Sequence, residues 1–145
     1  MYKMVTRLAK LIRFGVSLPA DLIGSFDRAI RAKGYKTRSE AIGDLMRESL
    51  IADEWQRSDG NMVGTVTIVY NHEKHGLSDA LNSLQHTHHD AIVCTTHIHM
   101  DEHNCLEVVV IRGTADQIRT ISDRLISTAG VKHGKLVCTS AGDHF

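Results

Sequence analysis

The residue types best suited to chemistry gather in one stretch, residues 85–107, QHTHHDAIVCTTHIHMDEHNCLE. It contains His86, the pair His97 and His99, and Cys105, with ten residues between His86 and His97 and five between His99 and Cys105. Side chains two apart along a strand project to the same face, so His97 and His99 present two imidazoles together. Past a polar turn, Asp101-Glu102-His103-Asn104, a returning strand would bring Cys105 back beside them. Two imidazoles and a thiol converging on one point outline a transition-metal site, which His86 could complete as a fourth ligand. Neutral imidazoles suit zinc, copper and nickel, and a thiolate strengthens binding to all three. Tetrahedral geometry would favour zinc and square-planar geometry Cu(II) or Ni(II), while affinity order alone favours copper. A single strand histidine is more often structural than a ligand; the HxH pair beside a thiol sets this stretch apart.

Catalysis fits these residues poorly. A hydrolytic zinc centre keeps an open coordination position and a general base nearby, and four protein ligands would close the site. The sequence offers no nucleophile–histidine–acid arrangement and no phosphate loop, so neither enzyme activity nor an organic substrate is expected. Cys94 falls on the opposite strand face from His97 and His99, and Cys138 ends the last strand. Both are expected to be small buried residues rather than ligands.

At 145 residues, 42% of them apolar, the chain suffices for one ordinary domain or two small ones. Its formal net charge of zero conceals an asymmetry. Residues 1–40 hold nine Lys and Arg against three acids, whereas residues 61–145 hold six against nine, together with all ten histidines. A basic, histidine-free front and an acidic, histidine-rich back point to two domains with different ligands. No apolar run reaches the roughly 18 residues of a membrane span. Arg13 breaks the apolar part of the basic start and no small-residue cleavage pattern follows, so no signal peptide is expected. Three irregularly spaced cysteines are no disulfide framework, and a reducing, cytoplasmic setting is expected.

In the front part, Ile12, Phe14, Val16 and Leu18 alternate with Arg13, Gly15 and Ser17, the pattern of a short half-buried strand. Pro19 suits the first turn of a helix. Leu22, Ile23, Phe26, Ala29 and Ile30 then recur at helical spacing, and Gly34 is a C-terminal stop. Thr37-Arg38-Ser39-Glu40 has the capping-box pattern and opens a second helix with Ala41, Ile42, Leu45, Met46 and Leu50 on one face. The lone strand has no nearby strand to pair with, and the helices present more apolar face than so short a segment can cover. A second copy is therefore expected, its strand completing an antiparallel ribbon. Such a ribbon fits the major groove of duplex DNA, with Arg13, Gly15 and Ser17 facing the bases. The start of the second helix, at Arg38 and Ser39, offers N–H groups to a phosphate. The whole pattern resembles a ribbon-helix-helix DNA-binding domain.

Residues 53–61, DEWQRSDGN, are polar and turn-rich and read as a linker. Beyond it come a strand at 62–70, a helix from Leu77 running into residues 86–89, strands at 91–99 and 105–111, an amphipathic helix at 114–129 ended by Gly130, and a last strand at 131–138. The order βαββαβ is the ferredoxin-like arrangement, here the size of an ACT-type regulatory domain. The expected class is thus α+β. A βαα ribbon-helix-helix domain covers residues 1–52, with a basic arm at 1–10; the linker 53–61 follows, then a metal-binding and tetramerisation domain over 62–145.

A ribbon-helix-helix domain joined to a βαββαβ domain carrying QHTHHD, HIH and NCLE resembles the nickel-responsive transcription regulators, the NikR family. NHEK at residues 71–74 and VKHGKL at residues 131–136 are similar too, and the likeness runs from about residue 11 to residue 138. By position, the resemblance implies Ni(II), one per subunit, held in a plane by His97, His99 and Cys105, with His86 supplied by a neighbouring subunit. It also implies a homotetramer, a dimer of dimers, that binds double-stranded operator DNA. Asp90 and Glu107 are implied as partners of the metal-bound imidazoles, and Glu40 and Asp44 as a K+ site at the domain interface. Gly15 departs from the polar residue of many relatives, which leaves base readout to Arg13 and Ser17. Gly43 has no side chain to reach DNA, and the first ten residues extend beyond the shortest relatives. The expected function is repression of nickel-uptake genes when nickel is plentiful. A copper or zinc sensor on the same scaffold and a metal-storage protein are the rival readings.

Overall fold

The computed structural model describes residues 10–57 and 60–142; nearly all of the expected basic arm lies outside them. The described residues form two compact units that divide between Gly43 and Asp44.

The first unit contains α1 (Ala20–Ala32) and the start of α2 (Arg38–Arg57). Pro19 stands one position before α1, and its carbonyl accepts from the Ile23 N–H at 3.1 Å. Gly34 stops the helix at φ +89°. There the Tyr35 N–H bonds the Ile30 carbonyl and the Gly34 N–H bonds the Arg31 carbonyl, each at 3.0 Å, the paired closure a left-handed glycine permits. Thr37 caps α2 by accepting from the Glu40 N–H at 3.2 Å. The Glu40 carboxylate reaches back to the Lys36 N–H at 3.2 Å, one residue beyond the expected box. Residues 10–19 form no regular structure, and Ile12, Phe14 and Val16 are well exposed. The strand expected at residues 12–18 is therefore not formed in the single chain. A strand is held by bonds to a neighbouring strand, and no strand of the described residues pairs with this segment.

In the second unit α2 continues through Arg57, five residues into the stretch expected as a linker. Trp55 is the physical reason. It is 3% exposed, its indole N–H donates to the Thr139 carbonyl at 3.1 Å, and Arg119 lies over its ring while donating to its carbonyl at 2.9 Å. Then β1 (Met62–Asn71), α3 (Leu77–Thr87), β2 (Ile92–His99), β3 (Asn104–Gly113), α4 (Ala115–Ser127) and β4 (Val131–Ser140) follow in the expected βαββαβ order. The strands make one antiparallel sheet, β2-β3-β1-β4, as in ferredoxin-like domains.

Every second residue of β1 and β3 is buried because only one face of the sheet is covered by helices. Val66, Ile68, Val109 and Ile111 meet Leu77 and Leu81 of α3 and Ile118, Ile121 and Leu125 of α4 in one core. A complete capping box opens α4. Thr114 Oγ1 accepts from the Gln117 N–H at 3.3 Å, and Gln117 Oε1 accepts from the Thr114 N–H at 3.0 Å. The helix approaches the sheet closely: a Cβ on Gly134 would stand 2.6 Å from Ile126 Cγ1 and 3.0 Å from Ile68 Cγ2. Cys94 and Cys138, expected to be buried, are exposed, since β2 and β4 are the edge strands. No helix of the described residues is long and apolar enough to cross a membrane.

Candidate metal centre

The turn between β2 and β3 is held by Asp101, whose Oδ1 accepts from the N–H groups of His103 and Asn104, both at 2.8 Å. The Asn104 side-chain amide, then these two backbone donors, holds the Asp101 carboxyl down at about 2. The returning strand pairs His99 with Cys105 and His97 with Glu107. From its other side β1 sets Tyr70 opposite Cys105. Residues paired across an antiparallel sheet share a face, so two imidazoles, a thiol, a carboxylate and a phenol come together.

Cys105 is the hub. Its Sγ lies 3.2 Å from His97 Nε2, 3.4 Å from His99 Nδ1 and 3.4 Å from His72 Nδ1. Burial, then the charges of Glu107 and Asp101, pushes the thiol pKa up, so without a bound cation it keeps its proton at neutral pH. Nitrogen and sulfur donors that share one ion at about 2.0–2.3 Å lie roughly 3.1–3.6 Å apart. All three sulfur–nitrogen distances fall in that span. The donor atoms of His72, His99 and Cys105 also lie within 4.8 Å of one another. A soft thiol among imidazoles, already at ligand spacing, fits a transition metal of the zinc, copper or nickel kind.

The remaining candidates are placed as follows. His86 sits in the last turn of α3 with its ring 6.1 Å from that of His89, outside the group formed by His72, His99 and Cys105. The Asp90 carboxylate faces His89 Nε2 at 3.0 Å. Glu107 is buried behind His97, with Oε2 at 3.6 Å from His97 Nδ1 and at 2.8 Å from the Tyr70 hydroxyl that donates to it. Arg13, Gly15 and Ser17 are exposed within residues 10–19, and Ser39 is exposed in the first turn of α2. Arg38 forks onto Asp27, Nε to Oδ1 and Nη2 to Oδ2, both at 2.7 Å, and this holds the Asp27 carboxyl below its usual range. Glu40 is engaged by the Lys36 N–H and Asp44 by Arg47.

Two residues at the centre were not among the expected ones, His72 and Tyr70. The signal for both was strand register rather than motif. Once β1 is set antiparallel to β3 with Asn71 opposite Asn104, Tyr70 faces Cys105 and His72 follows two residues on.

Comparison with known proteins gives a consistent picture. The family described as the NikR C-terminal nickel-binding domain matches residues 63–139. A protein of Thermococcus onnurineus (strain NA1) is 55% identical over 133 residues, covering 92% of this chain and 96% of its own length. One of Geotalea uraniireducens (strain Rf4) is 52% identical over 136 residues, covering 94% and 98%. One of Thermococcus kodakarensis (strain ATCC BAA-918 / JCM 12380 / KOD1) is 51% identical over 133 residues, covering 92% and 96%. All three are provisionally named nickel-responsive regulators.

Proposed function

The chain belongs to the family of nickel-responsive regulators, and from that premise we propose that it is a cytoplasmic nickel sensor that controls transcription by binding operator DNA. The observation that carries this reading is the buried Cys105 sulfur with three imidazole nitrogens 3.2–3.4 Å away. Cys105 gives up its raised-pKa proton when a metal is taken up, and His97, His99 and Cys105 donate from one subunit to one Ni(II). His86 of the partner subunit supplies the fourth donor in a homotetramer, which accounts for His86 standing apart within the single chain. His72, equally near the sulfur, is the competing donor from the same chain. Nickel supplies a fixed divalent charge with directional ligand preferences.

Two copies pair residues 12–18 into a ribbon that enters the major groove. The exposed Ile12, Phe14, Val16 and Leu18 support this, as do Leu22, Leu45, Met46 and Leu50, each about half exposed along the helices. In that ribbon Arg13 and Ser17 meet base edges, and the α2 N-terminus at Ser39 meets a phosphate. Arg38, taken up by Asp27, braces α1 against the start of α2. Nickel shifts the balance only through different affinities for the DNA-competent and other arrangements. The output is repression of nickel-uptake genes.

A copper sensor is the second reading, because affinity order favours copper at an imidazole–thiolate site. Selection from a random DNA pool with the full chain, metal-free or loaded with nickel, copper or zinc, separates the cases. Enrichment of a two-fold symmetric sequence with nickel alone is expected. Enrichment with copper or zinc alone moves the reading to that metal, and no enrichment with any metal leaves a metal store. On the enriched sequence, Arg13→Ala should lose about 1–3 kcal/mol of discrimination against random DNA.

A further inference from the structure

His97 can offer Nε2 as a donor only if its ring proton sits on Nδ1. The structure fixes where that proton goes. His97 Nδ1 lies 3.2 Å from the Tyr70 hydroxyl oxygen, and the Tyr70 proton is already donated to Glu107 Oε2 at 2.8 Å. A carboxylate only accepts, so the phenolic oxygen has nothing but lone pairs to turn toward His97. His97 Nδ1 must therefore be the donor. The other carboxylate oxygen, Glu107 Oε1, accepts from the Gln85 amide, and Gln85 Oε1 accepts from Thr95 Oγ1 at 2.7 Å. Because the Glu107 oxygen can only accept, the Gln85 amide must turn its N–H toward it, which leaves Gln85 Oε1 to the Thr95 hydroxyl. From Thr95 through Gln85, Glu107 and Tyr70 to His97, each group has one direction open to it.

Tyr70 and Glu107 are 2% and 4% exposed, which keeps water from the bond between them at the centre of the chain. Burial, then the Glu107 hydrogen bond, pushes the Tyr70 pKa up, so the phenol keeps its proton. Gln85 also immediately precedes His86, so the same bonds register the His86 end of α3 against β2.

We propose that Tyr70 is a positioning residue for metal recognition, holding His97 in the Nδ1–H tautomer so that Nε2 faces Cys105 before a metal arrives. The proposal rests on reading the cluster as a metal site. In the absence of the hydroxyl, Glu107 Oε2 stands 3.6 Å from Nδ1, beyond hydrogen-bond distance.

The test uses the full chain, Tyr70→Phe and Glu107→Gln. Long-range proton–nitrogen NMR spectra of histidine-labelled, metal-free protein, taken at a pH above which the His97 signals no longer move, report the tautomer of His97. Wild type should show Nδ1 protonated and Nε2 bare, and Tyr70→Phe should show a mixture. Glu107→Gln should reverse the tautomer. With Oε1 facing the Gln85 amide, the new side chain donates to Tyr70, whose proton then points at His97 Nδ1. In nickel titrations Tyr70→Phe should weaken binding about 10–100-fold, and should cost nothing further once His97 is Ala. An Nε2–H tautomer in wild type, an unchanged tautomer in both variants, or an equal loss of nickel affinity with and without His97 overturns the proposal. Absence of nickel binding by wild type would defeat the metal reading alone, since the metal-free spectra still decide the role of Tyr70. Because the two variants disturb the chain of bonds in opposite ways, misfolding of one leaves the other decisive.

Discussion

Replacing Glu107 by Ala should destabilise the protein before any metal is involved. The carboxylate is 4% exposed and accepts from two side chains, the Tyr70 hydroxyl at 2.8 Å and the Gln85 amide. Tyr70 is itself 2% exposed, so its hydroxyl gives up a bond to a charged acceptor, worth about 1.5–3 kcal/mol, and is left with His97 Nδ1 at 3.2 Å in its place. Gln85 is half-buried, and water can reach its amide in part, so its loss is smaller. The void left by the missing side chain adds to the deficit, while removing a desolvated charge offsets some of it. The net expectation is a loss of roughly 2–3 kcal/mol, or about 5–10 °C in Tm for a chain of this size. Thermal unfolding of metal-free protein is the assay, at one fixed chain concentration because assembly shifts Tm by mass action. A Tm equal to wild type would refute the reasoning, since it would mean that the bonds Glu107 accepts from Tyr70 and Gln85 add nothing to stability.

Three further outcomes follow from the packing and the turns. Gly134→Ala should cost about 1–3 kcal/mol by overpacking against Ile126 and Ile68; an unchanged Tm would mean that α4 can recede from the sheet. Thr114→Ala should cost about 1 kcal/mol by removing the cap of α4, and urea unfolding should show the midpoint falling with no change in slope. Asp101 gives a pH signature. Its folded pKa of about 2 lies below the ordinary carboxylate value, so its stabilisation is complete above the unfolded pKa and is lost as pH falls through about 2. Acid titration of stability should therefore flatten below pH 4 in Asp101→Ala relative to wild type; identical acid profiles would remove Asp101 as the clamp of the β2–β3 turn.

The regulatory half of the fold was legible in the sequence because its signals are local. The strand-forming run at residues 62–70, the stop at Gly130 and the apolar spacing of Ile118, Ile121 and Leu125 give elements whose order matches the structure. The HxH pair and its return to Cys105 were legible for the same reason, since a period of two and one turn suffice. His72 and Tyr70 were not, because their position depends on which residue of β1 faces Cys105, and no local pattern sets that register. The linker was misplaced at its start, since a Trp in a polar stretch does not announce that β4 and α4 will bury it. At the N-terminus the pattern of a strand is plain, but no strand of the described residues pairs with residues 12–18, which form no regular structure.

The most direct test of the central claim is a visible absorption titration of the reduced, full-length protein with Ni(II), alongside Cys105→Ala. A thiolate-to-nickel charge-transfer band that saturates at one equivalent per chain, with planar ligand-field bands, and that is absent in the Ala variant is the predicted result. No such band, or one that survives loss of Cys105, would contradict a nickel centre built around that sulfur.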